Sequence, residues 1–170
     1  MKKQYLLLLL IIGILFSSCR KDDDSNDKEK YYVKLKINNT QMEDHITGEY
    51  FDENSIFEKV TSNTYAFQIF SYIKMTINQS ELETKTYSFK VNPSNYSENS
   101  FWFNYDDPAT GTEYSTQSSD ATGSMTLNIT SIKDNNLKGT FSGTIVAKST
   151  GNGTIKTFNI TNGEFYVPLQ

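Results

Sequence analysis

The chain has 170 residues, with 16 lysines and arginines against 20 aspartates and glutamates, for a formal charge of −4. An acidic chain carries no electrostatic footprint for nucleic acid, and anionic lipid repels it mildly, so charge recruits neither partner. A single cysteine excludes an internal disulfide, and a single histidine, His45, is the only base on which a Ser/His/Asp triad could be built.

Lys2 and Lys3 precede an apolar run from Tyr5 to Phe16, and Ser17 and Ser18 then lead to Cys19. A positive start, a short apolar stretch and small residues before a cleavage point describe a signal peptide over residues 1–18. The run falls short of the ~20 apolar residues that cross a bilayer as a helix. Leu15-Phe16-Ser17-Ser18-Cys19 resembles the lipobox of bacterial lipoproteins, with Phe16 where an aliphatic residue is commoner. The resemblance implies cleavage before Cys19, which becomes the lipidated mature N-terminus; the plainer alternative is a secreted protein whose cysteine happens to fall there. Each buried CH₂ contributes ~0.8 kcal/mol, so the two or three acyl chains of a lipoprotein cysteine anchor it stably.

Lys21, Asp22 and Asp23 stand two to four places after that cysteine. They resemble the export signal of Bacteroidota surface lipoproteins, which implies a protein at the outer membrane facing outward, with the periplasmic face as the alternative. Removing residues 1–18, which hold two lysines and no acid, takes the formal charge from −4 to −6. Membrane contact is therefore expected through lipid on Cys19 alone. From Arg20 to Lys30 every residue is polar, so the segment cannot bury enough surface to order itself. Residues 19–30 are expected to act as a flexible charged tether with a reach of roughly 20 Å.

Residues 31–170 are one domain's worth of chain. Tyr31, Val33, Leu35 and Ile37 alternate with Tyr32, Lys34 and Lys36, the period of a half-buried strand, and Asn38-Asn39 turns it. Residues 40–60 are the least legible: Gly48 interrupts them, and Asp52 to Ser55 reads as a turn or the start of a short helix carrying Ile56, Phe57 and Val60. Tyr65 to Ile77 fits one or two strands, Lys85 to Val91 another, ended by Pro93. Phe101, Phe103 and Tyr105 form one face of a strand with Trp102 on the other. Asp106 to Ala121, rich in Thr, Ser, Gly and Asp, is expected to be a long exposed excursion interrupted at most by a short strand around Tyr114.

The last quarter is the most regular. Met125, Leu127 and Ile129 share one phase; Asp134-Asn135-Asn136 turns; Leu137, Phe141, Ile145 and Ala147 share the next, with Gly139 and Gly143 on the same inward phase. A glycine there lets an aromatic or a neighbouring strand approach, or the strand bulge. Gly151-Asn152-Gly153 and Asn162-Gly163 read as two further turns, giving a four-strand meander. The total of about eight to ten short strands predicts an all-β fold, an antiparallel β-sandwich in preference to a closed or half-open lipocalin-like β-barrel.

Gly123 to Ile129, Lys138-Gly139-Thr140-Phe141-Ser142-Gly143 and Ile160 to Phe165 together look like a family of small Bacteroidota lipoproteins of unknown function. That resemblance implies a fold and a location and no active site. Chemistry is sparse: no Gly-x-Ser-x-Gly elbow is present, and Glu43, Asp44 and His45 are consecutive, which suits a solvated turn better than a metal site. The expectation is a protein without catalytic activity, cofactor or metal. Its candidate binding residues are Trp102, Tyr105, Asp106 and Asp107, which set aromatic rings beside carboxylates as a sugar-binding surface does; the alternative is that the rings are core and Trp102 covers a sheet face. Asp106, Asp107, Asp120 and Asp134 could offer oxygens to calcium, though turns use such residues routinely. The expected role is a surface binding module for glycan or protein, with a structural or assembly subunit of an envelope complex as the alternative.

Overall fold

The computed structural model describes residues 31–46, 55–91 and 97–170. The expected signal peptide over residues 1–18, the expected lipidation at Cys19, the export signal expected at Lys21-Asp22-Asp23 and the expected tether over residues 19–30 lie outside the described residues. Eleven strands follow one another: β1 Tyr31–Ile37, β2 Thr40–Ile46, β3 Ile56–Thr61, β4 Thr64–Ile69, β5 Ile73–Ile77, β6 Thr86–Val91, β7 Ser100–Asp107, β8 Thr112–Ser115, β9 Thr122–Lys133, β10 Asn136–Ser149 and β11 Ile155–Pro168. The all-β expectation holds.

The arrangement is a closed barrel rather than the preferred sandwich. Strands run in the order β2-β1-β11-β10-β9-β6-β7-β5-β4-β3, with β8 joining β10 to β7. β10 pairs with β9 as far as Val146 and with β8 from Lys148; β7 pairs with β6 at Ser100 and Phe101 and with β8 from Asn104. Strands β10, β9, β6, β7 and β8 thus close a hydrogen-bonded circuit. At the far end of the order, β3 returns to the chain just beyond β11 through a parallel bridge between Phe57 and Leu169. Long strands make this closure feasible, because β9, β10 and β11 run for 12, 14 and 14 residues and their ladders carry register shifts that let a sheet coil.

Three local expectations also change. Residues 56–61 are strand, not turn or helix: Phe57 faces the core opposite Phe67 of β4. Glu43 and Asp44 lie in β2 rather than in a solvated turn. Asn162-Gly163 is a bulge inside one continuous β11, not a turn between two strands, so the meander has three long strands. Ladder β10–β11 passes from Phe141↔Gly163 to Gly143↔Ile160, and Asn162 takes φ 53°. The inward phase accordingly slips from Phe158 and Ile160 to Gly163, Phe165 and Val167.

Every strand contributes to one core. Phe57, Phe67, Phe89, Phe103, Phe158 and Phe165 are its largest fully buried side chains. Phe67 sits 4.9 Å from Phe165 and 5.1 Å from Phe57 between ring centres, and Phe103 5.0 Å from Phe158. Gly139 belongs to this packing as the sequence suggests: a Cβ there would lie 2.7 Å from the Phe165 ring and 2.1 Å from the Asn128 carbonyl oxygen.

Candidate functional site

Strand β7 decides where the four candidate residues go. Its burial alternates, with Phe101, Phe103, Tyr105 and Asp107 inward and Trp102, Asn104 and Asp106 on the other side. Successive strand residues point to opposite faces, so Tyr105 and Asp107 are brought together while Trp102 and Asp106 are not with them. Trp102 is half-buried on the outer face, aligned with Lys74 of β5, and its Nε1 has no hydrogen-bond partner among the described residues. Asp106 is exposed beside Glu113 of β8.

Inward at the end of β7, the Asp107 carboxylate is only 8% exposed and receives the Lys156 ammonium on Oδ2 at 2.5 Å. Its Oδ1 accepts the Ala109 amide at 3.0 Å, and its backbone carbonyl accepts the Thr110 and Gly111 amides, which folds the β7–β8 turn around it. Lys156 Nζ also stands over the rings of Tyr114 and Phe158, at 5.6 and 5.4 Å from their centres. An ammonium over aromatic faces is held by the ring quadrupoles as well as by its carboxylate. The Lys156 hydrogen bond, followed by the Ala109 amide, holds the Asp107 carboxyl below the ordinary carboxylate range. Lys156 is correspondingly raised by Asp107. Tyr105 is raised too, first because burial disfavours its phenolate and then because Asp107 repels the charge.

Above this pair lies a cleft of about 280 Å³ between the β1–β2 turn, the β7–β8 turn and the start of β11. Ile37, Tyr105, Pro108 and Phe158 give it apolar walls; Thr40, Thr110, Asp107 and Lys156 give it polar ones. The expected exposed excursion is thus partly folded in: β8 exists as a short strand, and Asp107, Tyr114, Ser115, Thr116 and Ala121 are buried.

Lys156 is the residue that the sequence reading passed over. Its signal was phase, since Lys156 precedes Phe158 and Ile160 by steps of two, just as Asp107 follows Phe101, Phe103 and Tyr105. Opposite charges that both continue an inward phase at strand ends have each other as natural partners. Elsewhere, Asp120 pairs with Lys148 at 2.7 Å and Asp134 occupies the β9–β10 turn. Among the described residues no three His, Cys, Asp or Glu side chains gather as a metal site would require. No protein-family model, no curated protein and no solved structure matches this chain.

Proposed function

We propose that this chain is a non-catalytic envelope protein, anchored at the outer membrane by lipid on Cys19 and directed outward by Lys21, Asp22 and Asp23, whose barrel serves as a structural or assembly subunit. The observation that carries this reading is the free end of the sheet. Strand β2 terminates the strand order and pairs only with β1 among the described residues, leaving a row of backbone groups suited to an extended segment of a second envelope protein. Asp44 aligns with core-facing Val33, so it stands on the inner face of this edge, and its Oδ2 is buried without a partner among the described residues. An inward carboxylate discourages indiscriminate edge pairing and favours a strand that brings a complementary donor. A core filled with aromatic side chains supports the same reading, because the barrel offers its surface rather than its interior.

The test places a photo-crosslinking side chain at Gln41 on β2 and, as a control, at Thr157 on β11, both exposed, in cells carrying the full chain. A discrete adduct from Gln41, absent from Thr157 and lost when Cys19→Ala releases the protein from membranes, is the expected result. Equal labelling from both positions sinks the edge reading. Membrane retention of the Cys19→Ala variant sinks the anchor, and protease resistance on intact cells that is unchanged by alanine at Lys21, Asp22 and Asp23 places the barrel in the periplasm. A second reading, a surface binding module, is favoured by the cleft above Asp107 and Lys156.

A further inference from the structure

Tyr105 carries the aromatic hydroxyl that lines the cleft. The residue is 7% exposed, and its ring is fixed edge-on by Tyr72 at 5.3 Å and by Phe158 at 5.5 Å. A rigidly held tyrosine at the wall of a cleft offers its hydroxyl to a ligand at little entropic cost.

The charges around it narrow what could fill the space. Lys156 is spent on Asp107 and on two rings, so an anion would have to displace a carboxylate held at hydrogen-bonding distance, and a cation would meet an ammonium already seated over the aromatic faces. The cleft is neutral as a whole, yet it presents hydroxyls from Tyr105 and Thr40 beside the exposed apolar surfaces of Pro108 and Ala109, while the Thr110 hydroxyl is engaged by the Asp107 carboxylate. A ring that is neutral, apolar on its C–H faces and hydroxylated at its rim matches that mixture. The volume of about 280 Å³ lies at the lower limit of ligand pockets, which run from ~300 Å³ upward, so it admits one ring rather than a chain.

We propose that the cleft takes a single neutral hexose unit, the terminal residue of a glycan, with the Tyr105 hydroxyl as its specificity contact and the Asp107–Lys156 pair bounding the floor. This inference rests on the binding-module reading and is independent of the β2 edge. One ring held by a few hydrogen bonds corresponds to a dissociation constant on the order of 1 mM, within reach of ligand-observed measurement.

The experiment is saturation-transfer NMR on the detergent-solubilised full chain, with the methyl glycosides of glucose, galactose, mannose and N-acetylglucosamine, and with acetate and tetramethylammonium as charged probes. Transfer to at least one glycoside is expected, weakened roughly fivefold in Tyr105→Phe, the loss of one neutral hydrogen bond. That variant should melt at the same temperature or higher, because the hydroxyl it removes has no hydrogen-bond partner among the described residues. Transfer to no glycoside, or equal transfer in Tyr105→Phe, overturns the proposal. Transfer to acetate or tetramethylammonium that is lost in Tyr105→Phe overturns the hexose while leaving a binding module, whereas silence from all probes removes both.

Discussion

The inward pair Asp107 and Lys156 is the clearest case of chemistry built into the core by single residues. The two are not equally committed: the carboxylate is 8% exposed and the lysine side chain 37%. When the carboxylate is removed by Asp107→Asn, the lysine can swing its ammonium to water along its flexible stem. When the ammonium is removed by Lys156→Met, the carboxylate stays where it is, because the Ala109 amide and the β7–β8 turn hold it. Lys156→Met is therefore expected to lower the urea midpoint more than Asp107→Asn does, and the reverse order would show that the ammonium stays seated over the rings, unpaired, once its carboxylate is gone. The pH dependence has two signs. The folded pKa of Asp107 is depressed, so its contribution is complete above the unfolded value of about 3.9 and disappears as pH falls through the folded one. That of Lys156 is raised, so its contribution is complete below about 10.4 and disappears as pH rises through the folded one. Between those limits the pair is intact, and Asp107→Asn should lose less stability than the natural chain when both are taken from pH 7 to pH 3.

At the level of strands, alternation was legible and turns only partly. β1, β7, β9 and β10 carry a clean two-residue period, and the Asn38-Asn39 and Asp134-Asn135 turns announce themselves because asparagine and aspartate tolerate positive φ. The β4–β5 turn does not: Phe70 and Ser71 adopt φ 51° and 59°, residues that no turn rule selects, so one strand or two were equally readable from Tyr65 to Ile77. The slip of phase at Asn162 was visible, but a phase slip signals either a turn or a bulge, and only pairing decides. Gly139 is where local sequence and tertiary packing agree. Since a Cβ would meet backbone oxygen at 2.1 Å as well as the Phe165 ring, neither neighbour can relax by rotating a flexible side chain. Gly139→Ala is expected to destabilise by about 1–3 kcal/mol, the usual cost of overpacking, and a variant melting within a degree of the natural chain would show that β10 can shift away from Phe165.

For the whole molecule, periodicity tells which face of a strand is buried but not which strand lies beside it. The contacts that make a barrel rather than a sandwich are of the second kind: the parallel β6–β7 pair, the β8 bridge between β7 and β10, and the return of β3 to the C-terminal residues. The last of these is made by very little chain. Lys59 donates its amide to the Gln170 carbonyl at 2.8 Å, the Gln170 amide reaches the Phe57 carbonyl at 3.0 Å, and the Leu169 amide reaches that of Asn135 at 2.7 Å. Three backbone hydrogen bonds at about 1 kcal/mol each, with the packing of the Leu169 side chain against the core, make residues 169–170 worth roughly 3–4 kcal/mol in all. Deleting them should lower the urea midpoint with little change in slope, and should speed hydrogen exchange at Lys59 well before it affects the β9–β10 ladder, whose amides report global unfolding. If exchange at Lys59 stays as slow as in the full chain, β3 is held by β4 alone, and the C-terminus ornaments the barrel without closing it.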